Sequence, residues 1–328
     1  MLRFNRDQAA ARNIIWPSRT ADRERTSSRI RIQAPSLTAC LAWIATLAIS
    51  TLPNIILREV LGVRTDWVPT AKLILITALV VLSLGWRRAR PLRPYFFTLL
   101  TFYGAGRVFR EVHRSPMWAS LFHSRRLFTD EMLGAQILRM ATATVVIAAV
   151  RIMGRSFKDM FLTCGHLCAP AEPVRWLEIR SGATWNRLGI TFSFVAFLGT
   201  STFLFTLGQP GRGGFAGLSP LIPAILLFAA MNAFSEEVTF RSALLATLPD
   251  SLGKQGRLLI TAAYFGLAHY WGVPYGPMGV LLSGLLGWLL AKIMVETKGF
   301  FWPWFIHFLP DVVIYTFMAA GLVTAGGR

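Results

Sequence analysis

The sequence predicts an all-α, polytopic membrane helical bundle of about eight or nine transmembrane helices, and three observations carry that expectation. Only 15% of the 328 residues are charged and 54% are hydrophobic, with a mean hydropathy of +0.49. A soluble domain carries about 25% charged residues. Apolar runs approach ~20 residues, the length that crosses a bilayer as a helix. The cations sit in short flanks between those runs, as they do in the cytoplasmic loops of membrane proteins. That placement explains the net charge of +18 without nucleic acid, and no nucleic-acid-reading motif is present.

Residues 1–36 hold eight Arg and three acidic residues. No apolar core follows within signal-peptide distance, so a basic cytoplasmic tail is expected. Leu37–Leu57 reads as the first span, kinked near its end by Pro53. Thr70–Trp86 reads as the second, with Lys72 snorkelling at its edge. Arg87, Arg88, Arg90 and Arg93 follow, and such a cluster belongs on the cytoplasmic side. Tyr95–Gly106 is apolar but short; nine spans result if it crosses, eight if it is re-entrant or interfacial. Residues 107–136 are mixed and basic, and amphipathic in pattern. Ile137–Met153 is a further span, 154–186 a basic loop, and Leu188–Leu207 a span leading to an external loop at 208–217. Leu218–Phe234, Arg257–Trp271, the glycine-laced Gly276–Ala291 and Phe300–Leu322 complete the set. The chain thus divides into the tail, a membrane region at 37–186 that resembles nothing familiar, a second membrane core at 187–322, and a short tail at 323–328. Three cysteines are too few for a disulfide framework. Cys164, His166 and Cys168 form C-x-H-x-C, which reads as a loop with small buried thiols more readily than as a structural zinc site.

The chemistry concentrates in the last third. Ionisable groups are costly at membrane depth and mark working sites there. Glu236, Glu237 and Arg241 follow IPAILLFAAMNAF, His269 follows LLITAAYFGLA, and His307 and Asp311 follow FFWPWFI. Residues i and i+4 share a helix face. Glu237 and Arg241 therefore meet, while Glu236 points about 100° away and stays available. Phe265 shares a face with His269. His307 shares one with Asp311, whose carboxylate can hold one ring nitrogen and fix the tautomer. Each pair alone is as readily a helix-surface ion pair or a satisfied core residue. Three on successive apolar segments point to one buried polar cluster.

EEVTFR at 236–241, FGLAH at 265–269 and HFLPD at 307–311, in this order and spacing, resemble the CPBP family of intramembrane proteases. That family includes the CaaX prenyl endopeptidase and the bacterial Abi or bacteriocin self-immunity proteins. The resemblance covers roughly 187–322. It implies an intramembrane endopeptidase that hydrolyses a peptide bond of a membrane-associated protein or peptide by glutamate-activated water. Glu236 would be the general base and His269 would help hold the water. Glu237 and Arg241 would support the site, and His307 and Asp311 would line the side where the oxyanion develops. An ionised Asp311 cannot donate to that oxyanion, so Asp311 is either protonated or orients His307. No cofactor is expected, since a desolvated Glu with imidazole help activates water without a metal. Zinc stays open as an alternative, with Glu236, His269, His307 and Asp311 as its ligands.

The competing readings are a proton- or ion-coupled transporter, which also uses intramembrane Glu, His and Asp, and a non-catalytic scaffold or immunity protein. No repeat-related pair of broken helices supports the first. The expected partners are membrane lipids and the substrate. The ending AGGR is not a CaaX signal, so the chain is not expected to be a substrate of that kind itself. Arg outnumbers Lys, a bias associated with GC-rich bacteria, and the expected location is the bacterial inner (plasma) membrane.

Overall fold

Pro53 lacks an N–H and cannot continue the ladder of the first span, so the chain breaks just before it. In the computed structural model, which describes residues 36–123, 127–209 and 215–321, α1 (Leu37–Ile49) starts on a Ser36 side-chain cap and stops at Ser50. α2 (Leu52–Ile55) and the π-helical turn Ile56–Val60 leave at 51° to it. The bend frees a backbone carbonyl. Lys72 supplies the donor, with Nζ 2.5 Å from both Ser50 O and Asn54 Oδ1. Lys72 is buried and does not snorkel as expected, because the broken helix offers it ligands inside the bundle.

α3 (Val68–Gly85) matches the second expected span. α4 (Arg93–Arg114) contains the ambiguous Tyr95–Gly106 as its inner half. Tyr95, Phe96 and Leu99 are buried there, and its second half carries Arg107, Arg110 and Arg114. α5 (Pro116–Phe122) is a short helix before α6 (Phe128–Ile152). α7 (Trp185–Gly208), α8 (Ile222–Glu236), α9 (Ala243–Thr247), α10 (Gly253–Ala268), α11 (Pro277–Thr297) and α12 (Phe301–Ala319) follow.

The class is all-helical as expected, and only isolated β-bridges occur among the described residues. Five helices are long and apolar enough to cross a membrane, six if the bent α1–α2 pair counts as one, fewer than the eight or nine expected. The remaining helices fall outside that test of length and composition for visible reasons. α4 is basic over its second half, α10 has 16 residues and opens with Lys254 and Arg257, and α12 spends two prolines, His307 and Asp311 on internal packing. Residues 1–35 of the expected tail lie outside the described residues, as do 323–328 and half of the loop at 208–217.

Small residues set the helix crossings that position the site. On α10, a Cβ at Gly266 would lie 2.6 Å from Val280 O of α11, so the two helices touch backbone to backbone. Gly189 of α7 lies under the Trp302 ring of α12. One core joins α1, α3, α4 and α10 through Ala45, Ile76, Phe96 and Ile260, and a second joins α7, α11 and α12 through Trp185, Ile293 and Ile306.

The long segment between α6 and α7 is irregular but tied down. His166 N donates to Thr297 O at 2.7 Å, Phe300 N to Thr163 O at 2.8 Å, and Trp302 Nε1 to Leu167 O at 3.1 Å. Trp185 Nε1 donates to Glu296, which also receives Lys254 and Lys292. Cys164 and Cys168 are free and exposed. They are not the small buried thiols expected, because the segment packs through its backbone and leaves those side chains outward.

Candidate active site

The first carboxylate stands where a regular helix ends. α8 runs to Glu236, and Glu237–Ser242 then form one π-helical turn before α9. Such widened turns inside helices recur at functional sites. Glu237 and Arg241 pair through Oε1 and Nη1, both wholly buried. Arg241 also donates from Nε to Gly287 O at 3.2 Å and lies over the Phe265 ring, 4.1 Å from its centroid. Gly287 permits this approach, since a Cβ there would meet Phe265 at 3.0 Å and Arg241 at 3.4 Å. The expected division between the two glutamates holds in the geometry. Glu237 is held through Oε1 by Arg241 and His307, while Glu236 stands clear of Arg241; the Oε2 of each glutamate has no hydrogen-bond partner among the described residues.

Two imidazoles face Glu236 Oε2. His269 caps α10 and its Nδ1 lies 2.8 Å from Phe265 O. A carbonyl only accepts, so Nδ1 carries the proton and Nε2 is left to face Glu236 Oε2 at 3.8 Å. His307 Nε2 lies 3.6 Å from the same oxygen. Its Nδ1 is 2.7 Å from Glu237 Oε1. This corrects the expectation that Asp311 fixes the tautomer of His307. Asp311 Oδ2 is 3.9 Å from Nε2, beyond hydrogen-bond reach, and instead accepts from Asn232 Nδ2 at 3.0 Å. Glu237 reaches the ring first because the widened turn aims it across at α12.

Sequence reasoning missed a further layer. Asn232, one turn before Glu236, donates from Nδ2 to Glu236 Oε1 at 3.3 Å as well as to Asp311. Its Oδ1 accepts from Arg139 of α6, which also reaches the Tyr315 hydroxyl at 3.3 Å. Gln136 donates to that hydroxyl at 2.6 Å. Arg139 carried a readable signal: it is a cation two residues inside an apolar run, the criterion that marks Glu236 and His307. Asn232 carried none, being an uncharged residue in a helix.

Glu236, Glu237, Arg241, His269, His307 and Asp311 thus converge on one cluster and do not string along a pore. Neither of the two cavities that reach the cluster among the described residues holds all six side chains. A space of about 490 Å³ between α4 and α6, with Phe102, Arg110 and Arg139 in its wall, reaches Glu236. A second, of about 220 Å³ between α7, α10, α11 and α12, reaches His269, His307 and Asp311. The cluster forms the partition between them.

The four residues considered for zinc lie close together, with His269 and His307 Nε2 3.8 and 3.6 Å from Glu236 Oε2 and Asp311 Oδ2 3.9 Å from His307 Nε2. Among the described residues, no group of three or more His, Cys, Asp or Glu is placed to hold a metal ion.

Residues 218–313 match the family model described as type II CAAX prenyl endopeptidase Rce1-like. The matched stretch contains all three motifs and the six candidate site residues in them, and it bears out the resemblance read from them. It covers under a third of the chain, and Gln136 and Arg139 lie outside it. The family is one of proteases. No curated protein and no solved structure matches the chain.

Proposed function

We propose that the protein is an intramembrane endopeptidase in which Glu236 activates a water molecule against a peptide bond of a membrane-associated protein or peptide. The observation that carries this reading is the unpartnered Glu236 Oε2, 3.6 and 3.8 Å from two imidazole Nε2 atoms. Polar atoms just beyond direct contact are spanned by one water. Such a water donates one hydrogen to Glu236 and the other to an imidazole lone pair, which aims its own lone pair at a carbonyl carbon.

The step balances without a cofactor. Glu236 takes a proton as the new C–O bond forms and the carbonyl becomes an oxyanion. His307, when both ring nitrogens carry protons, is the donor beside Glu236 for that charge. Collapse breaks the C–N bond, Glu236 returns its proton to the leaving nitrogen, and an amine and a carboxylic acid result. Glu237 and Arg241 hold His307, and Asn232 holds Glu236 and Asp311 as a pair. Asp311 serves as an acceptor here, which suits an ionised carboxylate. No step needs a metal, and catalysis is expected to survive prolonged treatment with a chelator. Activity lost to the chelator and restored by zinc would overturn the metal-free scheme.

The test compares the membrane proteomes of cells carrying the native protein or Glu236→Gln. Glutamine keeps the size and cannot take the proton. General-base assistance contributes about 10²–10⁴-fold, so an uncleaved substrate should accumulate, and its cleavage by purified variant should fall at least a hundredfold. Identical proteomes, or full cleavage by the variant, would sink the reading and return the transporter or scaffold.

A further inference from the structure

A further cavity lies away from this site. It measures about 730 Å³ and opens at the end of the bundle where α6, α9 and α11 stop and α10 and α12 begin. Arg155, Lys158, His166, Arg257 and Lys298 line it. Two carboxylates also line it, and both are engaged. Asp159 accepts from the Ser156 N–H and hydroxyl at 2.7 and 2.8 Å, which holds its carboxyl below the usual range. Asp250 accepts from Arg257 at 2.9 Å. Arg155, Lys158 and Lys298 make no ion pair within 4.0 Å among the described residues. Arg257 Nε is buried without a partner there.

Two more observations give the cavity a direction. Phe161 and Lys298, both in its wall, hold left-handed backbone at φ 57° and 51°. A bulky residue in that region is an outlier whose strain the surroundings maintain. Thr163 lines the cavity and also a second groove of about 530 Å³. That groove is apolar, walled by Ile147, Phe157, Leu162, Phe234, Phe301 and Trp304. A cationic cup therefore adjoins a hydrocarbon groove at the level where apolar helices give way to polar loops.

We propose that this paired cavity binds an anionic phospholipid, its headgroup phosphate among Lys158, Arg257 and Lys298 and an acyl chain along the groove. Basic pockets between membrane helices hold anionic headgroups by charge, and guanidinium and ammonium groups both suit phosphate. The groove is what selects a lipid over a free anion. A zwitterionic lipid carries its own cation into a cup that already has an excess of them.

The test uses purified full-length protein in neutral detergent. Bound lipid is counted by native mass spectrometry after titration with phosphatidylglycerol, phosphatidylcholine or inorganic phosphate. Phosphatidylglycerol should bind at least tenfold more tightly than phosphatidylcholine, and should raise the unfolding temperature where millimolar inorganic phosphate does not. The double variant Lys158→Gln with Lys298→Gly should lose that binding at least fivefold. Glycine at 298 keeps the left-handed backbone without strain, so the variant should fold. Arg87→Gln with Arg88→Gln removes the same charge elsewhere and should bind normally. Equal loss in both double variants would reduce the effect to net charge and overturn the site. Equal binding of the two lipids would overturn it too, and so would stabilisation by phosphate alone, which would make it a free-anion site.

Discussion

Asn232 can face either way about its terminal torsion, and Arg139 decides which. A guanidinium only donates, so the Asn232 oxygen must turn to it, and the amide N–H groups then face Glu236 and Asp311. Arg139→Ala removes that constraint and leaves three carboxylates in the cluster facing one guanidinium. Breaking a buried charge arrangement costs about 3–5 kcal/mol, so membrane yield should fall along with cleavage. Arg139→Lys restores the charge but places a point donor where a fork reached both Asn232 and Tyr315. Its yield should recover while kcat stays at least tenfold low and KM is little changed. Recovery of both would make Arg139 a matter of charge only. Asp311→Asn should be mild, within about tenfold in activity, because the new amide oxygen still accepts from Asn232. Asp311→Leu leaves that donor unpaired and should be severe in both activity and yield. At this scale the motifs were legible because charge in hydrocarbon is conspicuous. The helix spacing placed Glu237 on Arg241 correctly. What the spacing could not say was which carboxylate wins His307, since that depends on the reach of a widened turn in another helix.

The crossing of α10 and α11 shows how an element positions chemistry without touching it. His269 ends α10, and its place depends on Gly266 lying against Val280 and Gly284. Gly266→Val forces a side chain against backbone that cannot yield. Overpacking costs typically 1–3 kcal/mol, so the unfolding temperature should drop, and activity should drop further because His269 moves with its helix. Gly256, earlier in α10, has its nearest neighbour at 3.5 Å. Gly256→Ala should be neutral or stabilising by up to about 1 kcal/mol, measured on the same thermal scale. A comparable loss in both variants would mean that glycine matters here only through helix propensity. The sequence showed where most helices lie because apolar runs announce themselves. It named more spans than the five or six helices that pass a test of length and apolar composition, since an apolar run that packs inside a bundle reads like one that faces lipid. Lys72 misled for the converse reason. A cation near a helix end looks like a snorkelling one until a broken neighbour offers it a carbonyl.

Across the whole molecule, charge is divided between two ends, and that division orients it. Leu92, beside the Arg87–Arg93 cluster, shares a core with Leu248, which also lines the basic cavity. The arginine cluster, the basic segment 154–185, Lys254, Arg257 and Lys298 therefore gather at one end. Arg58 lies over Trp271 at the other, where cations are fewer. Excess Lys and Arg in short loops faces the cytoplasm, so the crowded end is expected to lie inside. Two native thiols report on it, since Cys164 and Cys168 are free and exposed in that segment. The third, Cys40, is best replaced by serine so that only these two contribute. In intact cells an impermeant maleimide should leave the Cys40→Ser protein unlabelled, and permeabilisation should make both remaining thiols react. Labelling before permeabilisation would invert the orientation. It would also put the basic cavity on the outer leaflet, while the geometry at Glu236 would stand unchanged.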